Sequence, residues 1–190
     1  MKIDINNFDI TELLAMAHSP IRNYIVPDLT SSLIGETGKN GCVRLFESRR
    51  NQQQSITPHS HRFDFQCIVL AGEVTNRVFR KDFDYNSDSN SDLYCESTLN
   101  YNGKVGSHKR SAKKEVGRYV YEDTWYGEGE CYSMTHKQIH SIKFSKGTKV
   151  LFFEGKTRAN QSVILEPVVE GEIIPTYKVE DWMFRTGDIK

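Results

Sequence analysis

From about residue 41 onward the chain is a succession of short strand-like segments separated by turn residues. This pattern limits the fold more than any other feature. Residues 42–47, 55–61, 66–70 and 73–80 come first, and residues 118–121, 131–134, 139–144 and 149–154 follow. Each is rich in β-branched and aromatic side chains and is punctuated by Gly, Pro, Asn, Asp or Ser. Many short strands must close their sheets on one another, as a sandwich or a barrel. The expected fold is therefore mainly β and a single domain, and 190 residues suffice for one real core.

Three regions depart from that texture. Ile10, Leu13, Leu14 and Ala17 fall at i, i+3, i+4 and i+7, which predicts a short N-terminal helix, capped by Asp9 or Thr11 and stopped by Pro20. His18, near its end, reads as a surface or dipole-facing residue. Residues 21–34 read as an irregular or helical connection around Pro27, so that 1–40 form an N-terminal segment ahead of a β domain over 41–160. Residues 82–117 read as a polar insertion placed to cover a pocket mouth. Its stretch 84–92 is a loop, 93–101 an extra strand pair, and the basic run with Lys104, Lys109, Arg110, Lys113 and Lys114 a solvated loop that also carries His108. Residues 161–190, with Pro167, Trp182 and Phe184, are expected to pack back on the barrel or on a second subunit.

Charge and composition narrow the partners. Lys plus Arg equals Asp plus Glu, 25 against 25, so no overall field draws the chain to nucleic acid. No apolar stretch approaches the roughly 20 residues that span a bilayer, and the N-terminus lacks the apolar core of a signal peptide. Cys42, Cys67, Cys95 and Cys131 contain no Cys-x-x-Cys pair, which argues against a thiolate zinc site or a disulfide framework. The expectation is a soluble cytoplasmic protein with reduced thiols, a small-molecule substrate, no nucleic-acid or membrane partner, and a homodimer as the candidate assembly.

The chemistry is concentrated in His59-Ser60-His61. Two histidines at i and i+2 on a strand share a face, because side chains alternate with period two. Imidazole is the commonest protein metal ligand, so this stretch offers half of a metal site. His140, on a later strand flanked by Ile139 and Ile142, is the candidate third ligand. Gln66 lies five residues beyond His61, and a turn or bulge at 62–64 would reset the phase so that Gln66, Ile68 and Leu70 face inward together. Cys67 then faces away from Gln66, into the core. His136, four residues before His140, reads as a loop residue. Three imidazoles leave two or three positions open on an octahedral or five-coordinate metal, which suits Fe(II) and also Ni, Mn, Zn or Cu.

These residues resemble the cupin superfamily. Its first motif is His-x-His, three or four residues, Glu, about six residues, Gly; here His59-x-His61, four residues, Gln66, five residues and Gly72 stand in that order. Its second motif ends in a strand histidine, the place of His140, and 147–155 are similar to the strand that closes the barrel. The Glu of the first motif is replaced by Gln66, and the usual Pro-x-Gly of the second is absent. The resemblance covers about residues 40–160 and implies a double-stranded β-helix, or jelly-roll, barrel. Loss of the Glu moves the pattern toward the three-histidine, thiol dioxygenase-like subset. That subset implies a mononuclear non-haem iron dioxygenase, in which an Arg holds the substrate carboxylate and a Tyr stands nearby. By residue type, Arg44 or Arg77 supplies the cation and Tyr132 or Tyr121 the phenol. Gln66 is then a ligand or a group that hydrogen-bonds one. Two other readings fit the same residues: a non-enzymatic binding or sensing cupin, and a metal-independent isomerase or epimerase whose histidines act as acid and base.

Overall fold

The computed structural model describes residues 8–37, 41–52, 56–83, 92–101, 108–111, 114–169 and 172–173. One short helix, α1 (Ile10–Ala15), precedes the strands. In chain order these are β1 (His18–Ile21), β2 (Leu29–Glu36), β3 (Cys42–Ser48), β4 (Phe63–Ala71), β5 (Glu73–Lys81), β6 (Asp92–Tyr101), β7 (His108–Arg110), β8 (Glu115–Gly127), β9 (Cys131–Met134), β10 (Ile139–Phe144), β11 (Lys149–Thr157), β12 (Gln161–Val169) and β13 (Glu172–Ile173). They make two antiparallel sheets, ordered β1-β2-β3-β11-β4-β9 and β10-β5-β8-β6-β12-β13, with β7 beside β6. This is the mainly β, antiparallel architecture that the strand pattern and the cupin resemblance imply.

The first sheet is covered on both faces, which explains its sequence. β11 runs between β3 and β4 and is buried at five successive positions, Val150 to Glu154. Its Val150 and Phe152 join the interior cluster with Phe63, Phe65, Cys67 and Val69 of β4. Its Leu151 and Phe153 pack on the other face with Leu13 of α1, Ile34, Val43 and Leu45. A strand apolar on both sides reads as a continuous run, not as an alternation. The helix exists to cover that outer face. Asp9 starts it by accepting hydrogen bonds from the backbone N–H groups of Thr11 (2.7 Å) and Glu12 (3.1 Å).

Four expectations need correction. The helix ends at Ala15, and Pro20 lies in β1, an edge strand where a missing N–H costs no ladder bond. Residues 18–36 are mostly strand rather than connection; Ser31 and Ser32 interrupt the apolar pattern of β2, yet both are buried. His18 is at the surface as expected, exposed in β1, and bonds Ser19. The 82–117 region is not an appended insertion, because β6 lies between β8 and β12 in the second sheet. His108 and Arg110 belong to β7, and Arg110 bonds Ser97 and pairs with Glu166. Residues 84–91, 102–107 and 112–113 lie outside the described residues, as do 174–190 with Trp182 and Phe184. β12 is a full member of the second sheet, paired along β6. Among the described residues no helix is long and apolar enough to cross a membrane.

Two local features position the site. Gly72 turns β4 into β5 at φ +70°, and a Cβ there would lie 2.8 Å from Thr148 Cα, so the turn requires glycine. Residues 56–60 are not a regular strand, but they hydrogen-bond to β10 on one side and β12 on the other. The N–H of Ile56 donates to the carbonyl of Ile142, that of Ser60 to Val163, and that of Leu165 to Pro58. The segment joins the edges of β10 and β12 and holds its histidines against the interior.

Candidate metal centre

His59 and His140 are tied together through the backbone. Each donates its N–H to the other's carbonyl, at 2.8 and 2.9 Å, in an isolated antiparallel bridge. Side chains of a directly opposed pair emerge on the same face. His61, two residues on, joins them. All three are buried, and their ligating nitrogens lie within 4.8 Å of one another.

Their ring orientations are set from outside the cluster. His59 donates Nδ1–H to the Thr57 carbonyl at 2.7 Å, and His140 donates Nδ1–H to Asn76 Oδ1 at 2.7 Å. Asn76 is itself held by donating to Met134 Sδ. A neutral imidazole with its proton on Nδ1 presents an Nε2 lone pair, so both rings offer an acceptor to the common space. Outer partners of this kind hold a metal-binding histidine in one tautomer and one orientation. His61 Nε2 stands 3.0 Å from His140 Nε2. Two nitrogens about 2.1 Å from one ion, at right angles, are about 3.0 Å apart.

Burial disfavours the charged form of each ring. His59 is lowered to about 4, with the Thr57 bond opposing the trend. His61 and His140 fall well below the usual range, through burial and then through the neighbouring rings. Three neutral imidazoles, converging and pre-oriented, form a donor set that fits a divalent metal.

Apart from Arg44, Glu154 and the Tyr132 phenol, the rest of the cavity is largely apolar. It encloses about 70 Å³ between the sheets. Phe65 stands against His61 at 4.6 Å, edge to face, and against His140 at 5.5 Å. That position corrects the reading of Gln66. No bulge resets the phase: His61, Phe63, Phe65, Cys67 and Val69 face inward in unbroken alternation, and Gln66 is exposed on the opposite face of β4. Ile68 and Leu70 pack on that outer side, near α1. Gln66 cannot reach the histidines, and a phenyl ring occupies the corresponding inner place.

Of the paired candidates, the structure brings Arg44 and Tyr132 to the cavity. Tyr132 is stacked on Tyr126 at 4.6 Å and hydrogen-bonds Cys67, its cross-strand neighbour. Burial pushes the Cys67 thiol up to about 12 and the phenol well above its usual range, so neither ionises near neutrality. Arg77 and Tyr121 instead lie together on the second sheet's outer face, where Arg77 makes a two-pronged pair with Asp123 and covers the Tyr121 ring. His136 is a loop residue whose Nδ1 bonds Asp64.

Two polar residues on this wall escaped the sequence reading. Glu154 is buried beside the cavity, and Cys42 donates its thiol to Glu154 Oε2 at 3.1 Å. Burial raises the Glu154 carboxyl to about 7 against the pull of Cys42 and Arg44. Burial, then Glu154, drives the Cys42 thiol up to about 12. Arg44 is 1% exposed; Nη1 donates to Ser31 Oγ at 3.2 Å, while Nε and Nη2 are buried without a partner.

No protein-family model matches the chain, and no curated protein matches it. Among solved structures it is similar to hydroxypropylphosphonic acid epoxidase from S. wedmorenis, at 10% identity over 72% of this chain and TM-score 0.42. The chain spans about half of that enzyme, 55% of its length. It is also similar to a cupin superfamily protein from Desulfitobacterium hafniense DCB-2, at 12% identity over 72% of this chain and 82% of the other, TM-score 0.39. Hydroquinone 1,2-dioxygenase from Sphingomonas sp. TTNP3 aligns at 12% identity over 66% of this chain and 64% of its own, TM-score 0.38.

Proposed function

We propose that this chain is a mononuclear metalloenzyme that oxidises a small molecule with oxygen, its metal an Fe(II) ion held by His59, His61 and His140. One observation carries the reading: three buried, neutral imidazoles converge on a largely apolar cavity, and two are held in orientation through their outer nitrogens by Thr57 and Asn76. Bound there, the metal would supply Lewis acidity and open positions to oxygen and substrate.

The chain's own residues have separate tasks. Thr57 and Asn76 hold the rings. Phe63, Phe65 and Phe152 keep water from the site. Arg44 anchors an anionic group of the substrate, and Tyr132, whose phenol keeps its proton, is a hydrogen-bond donor. The metal-independent isomerase reading is served less well, because three imidazoles neutral near pH 7 hold no excess proton to deliver as acids.

The test is oxygen consumption by the Fe(II)-loaded protein with mercaptoacetate, lactate and isovalerate. Uptake that depends on one of these and vanishes in His140→Ala is the expected result. A metal-loaded, folded protein that consumes no oxygen with any of them points instead to a binding or sensing role.

A further inference from the structure

The segment that carries the first imidazoles is the seam of a closed sheet. β10, β5, β8, β6 and β12 lie side by side, and residues 56–60 bond β10 along one edge and β12 along the other. On the β12 side the seam departs from ladder geometry at one residue. His59 bridges Ile164, so Ser60 and Val163 face each other as a pair that would normally exchange both N–H groups for both carbonyls. Ser60 does donate its N–H to the Val163 carbonyl, at 2.9 Å. Val163 donates its own N–H to Ser60 Oγ, also at 2.9 Å. The hydroxyl thus takes the place of the Ser60 carbonyl. The ladder ends there, and the peptide between Ser60 and His61 is not committed to β12.

That peptide leads into the third ring of the cluster. Thr57 and Asn76 engage the outer nitrogens of His59 and His140. Among the described residues the His61 ring bonds only His140, through Nε2. Its direction is therefore set by Phe63 and Phe65, which flank it, and by the backbone on either side. Downstream, the Arg62 carbonyl accepts the N–H groups of Arg158 and Ala159, at 2.7 and 3.0 Å. Upstream, the anchor is Ser60. Removing its hydroxyl leaves two outcomes. Either the Val163 N–H stays without an acceptor, or the Ser60–His61 peptide turns until its carbonyl meets that N–H. Ser60 is 4% exposed, so little water reaches the vacated place, and the first outcome is costly. The second carries the His61 imidazole with it.

We infer that Ser60 is a positioning residue: its Oγ, standing in for its own carbonyl against Val163, aims His61 at the point shared with His59 and His140. The hydroxyl is turned to β12 and acts only through the backbone. This deepens the proposed function and rests on it only for the consequence in metal binding; the ring position belongs to the metal-free chain.

Ser60→Ala and Ser60→Thr in the full chain test it by two readouts. The first is the imidazole NMR spectrum of chelator-treated protein. The His61 ring nitrogens should shift in Ser60→Ala while the Nδ1–H signals of His59 and His140 stay in place, and all three should stay in Ser60→Thr, which keeps the hydroxyl. The second is Zn(II) affinity, read by competition with a chelating dye. It should fall by at least about tenfold in Ser60→Ala, the size expected when a group that orients a ligand is lost, and stay within about threefold in Ser60→Thr. A purely structural role would lower the urea midpoint of Ser60→Ala and move neither readout, and that result overturns the inference. So does a loss in Ser60→Thr as large as in Ser60→Ala. If Ser60→Ala does not fold, Ser60→Cys replaces it, because sulfur is a weaker acceptor. Its affinity should lie below that of Ser60→Thr with the His61 signals shifted, and equality of the two overturns the inference. If wild type takes up no Zn(II), the proposed function fails and the ring spectra alone decide this inference. Full Zn(II) uptake with unmoved His61 signals in Ser60→Ala keeps the metal centre and overturns the inference.

Discussion

One cavity contains two polar sites built in opposite ways. At the imidazole wall, Thr57 and Asn76 engage the outer nitrogens of His59 and His140, and the inner nitrogens face a common point. At the β3–β11 wall, Arg44 carries a permanent charge with two nitrogens unpaired, and Glu154 is held near neutrality by burial. The first wall is neutral, and two of its rings are held by outer hydrogen bonds. The second is charged and incompletely paired. Neutral ligands cost little to bury and gain when an ion arrives, whereas a buried charge costs stability until its counter-ion is present. The two walls therefore differ in what they do to the empty protein, and that difference can be measured.

The largest effect is expected at Glu154. Its carboxyl is raised above the unfolded value of 4.5 to about 7. A group raised in this sense contributes stability that is fully present below about 4.5 and is lost as pH rises through about 7. That interval corresponds to about 3 kcal/mol. Cys42, Arg44 and Arg62 are the ionisable groups that act on it. Glu154→Gln should gain up to about 3 kcal/mol on wild type between pH 4.5 and pH 8 in urea unfolding. Parallel stability curves for the two proteins would show that the carboxyl is solvated.

Arg44→Met follows. Combined with Glu154→Gln, so that no buried carboxyl is left without its cation, this apolar side chain of similar length should raise stability by about 1–4 kcal/mol. A loss of stability would mean that Arg44 is fully partnered in the folded protein. The imidazole wall should respond in the other direction. Asn76→Ala removes the acceptor that orients His140 and should weaken metal binding by about 10–100-fold, read by competition with a chelating dye. Unchanged affinity would detach Asn76 from the metal site. Gln66→Glu should leave metal affinity unchanged, because the side chain lies on the far face of β4. Tighter binding in that variant would contradict the observed strand phase.

The two walls were not equally legible in the sequence. His59 and His61 declare themselves by spacing, and His140 by its place within an apolar strand. Arg44 was visible only as a residue type, since nothing in Cys42-Val43-Arg44-Leu45-Phe46 distinguishes a buried arginine from a surface one. Glu154 ends the run Val150-Leu151-Phe152-Phe153, where covering of both faces erases the alternation that would have shown it pointing inward. Asn76 did leave a signal, a polar residue between Val74 and Val78 on the apolar face of β5. Gln66 was misplaced by assuming a bulge; the parity of His59 and His61, carried forward, leads to Phe63 and Phe65. β2 was obscured because its buried face carries Ser31 and Ser32 among the apolar residues, and β6 and β8 were read only in part, as 93–101 and 118–121, because sheet pairing rather than local pattern fixes their place and extent.

The most direct test is the metal content of the protein purified without added metal, by elemental mass spectrometry, with His140→Ala prepared in parallel. Close to one metal ion per chain is expected in wild type and none in the variant, with circular dichroism unchanged. Absence of metal from wild type, even after incubation with Fe(II), Zn(II) and Ni(II), would contradict a metal centre at these three histidines.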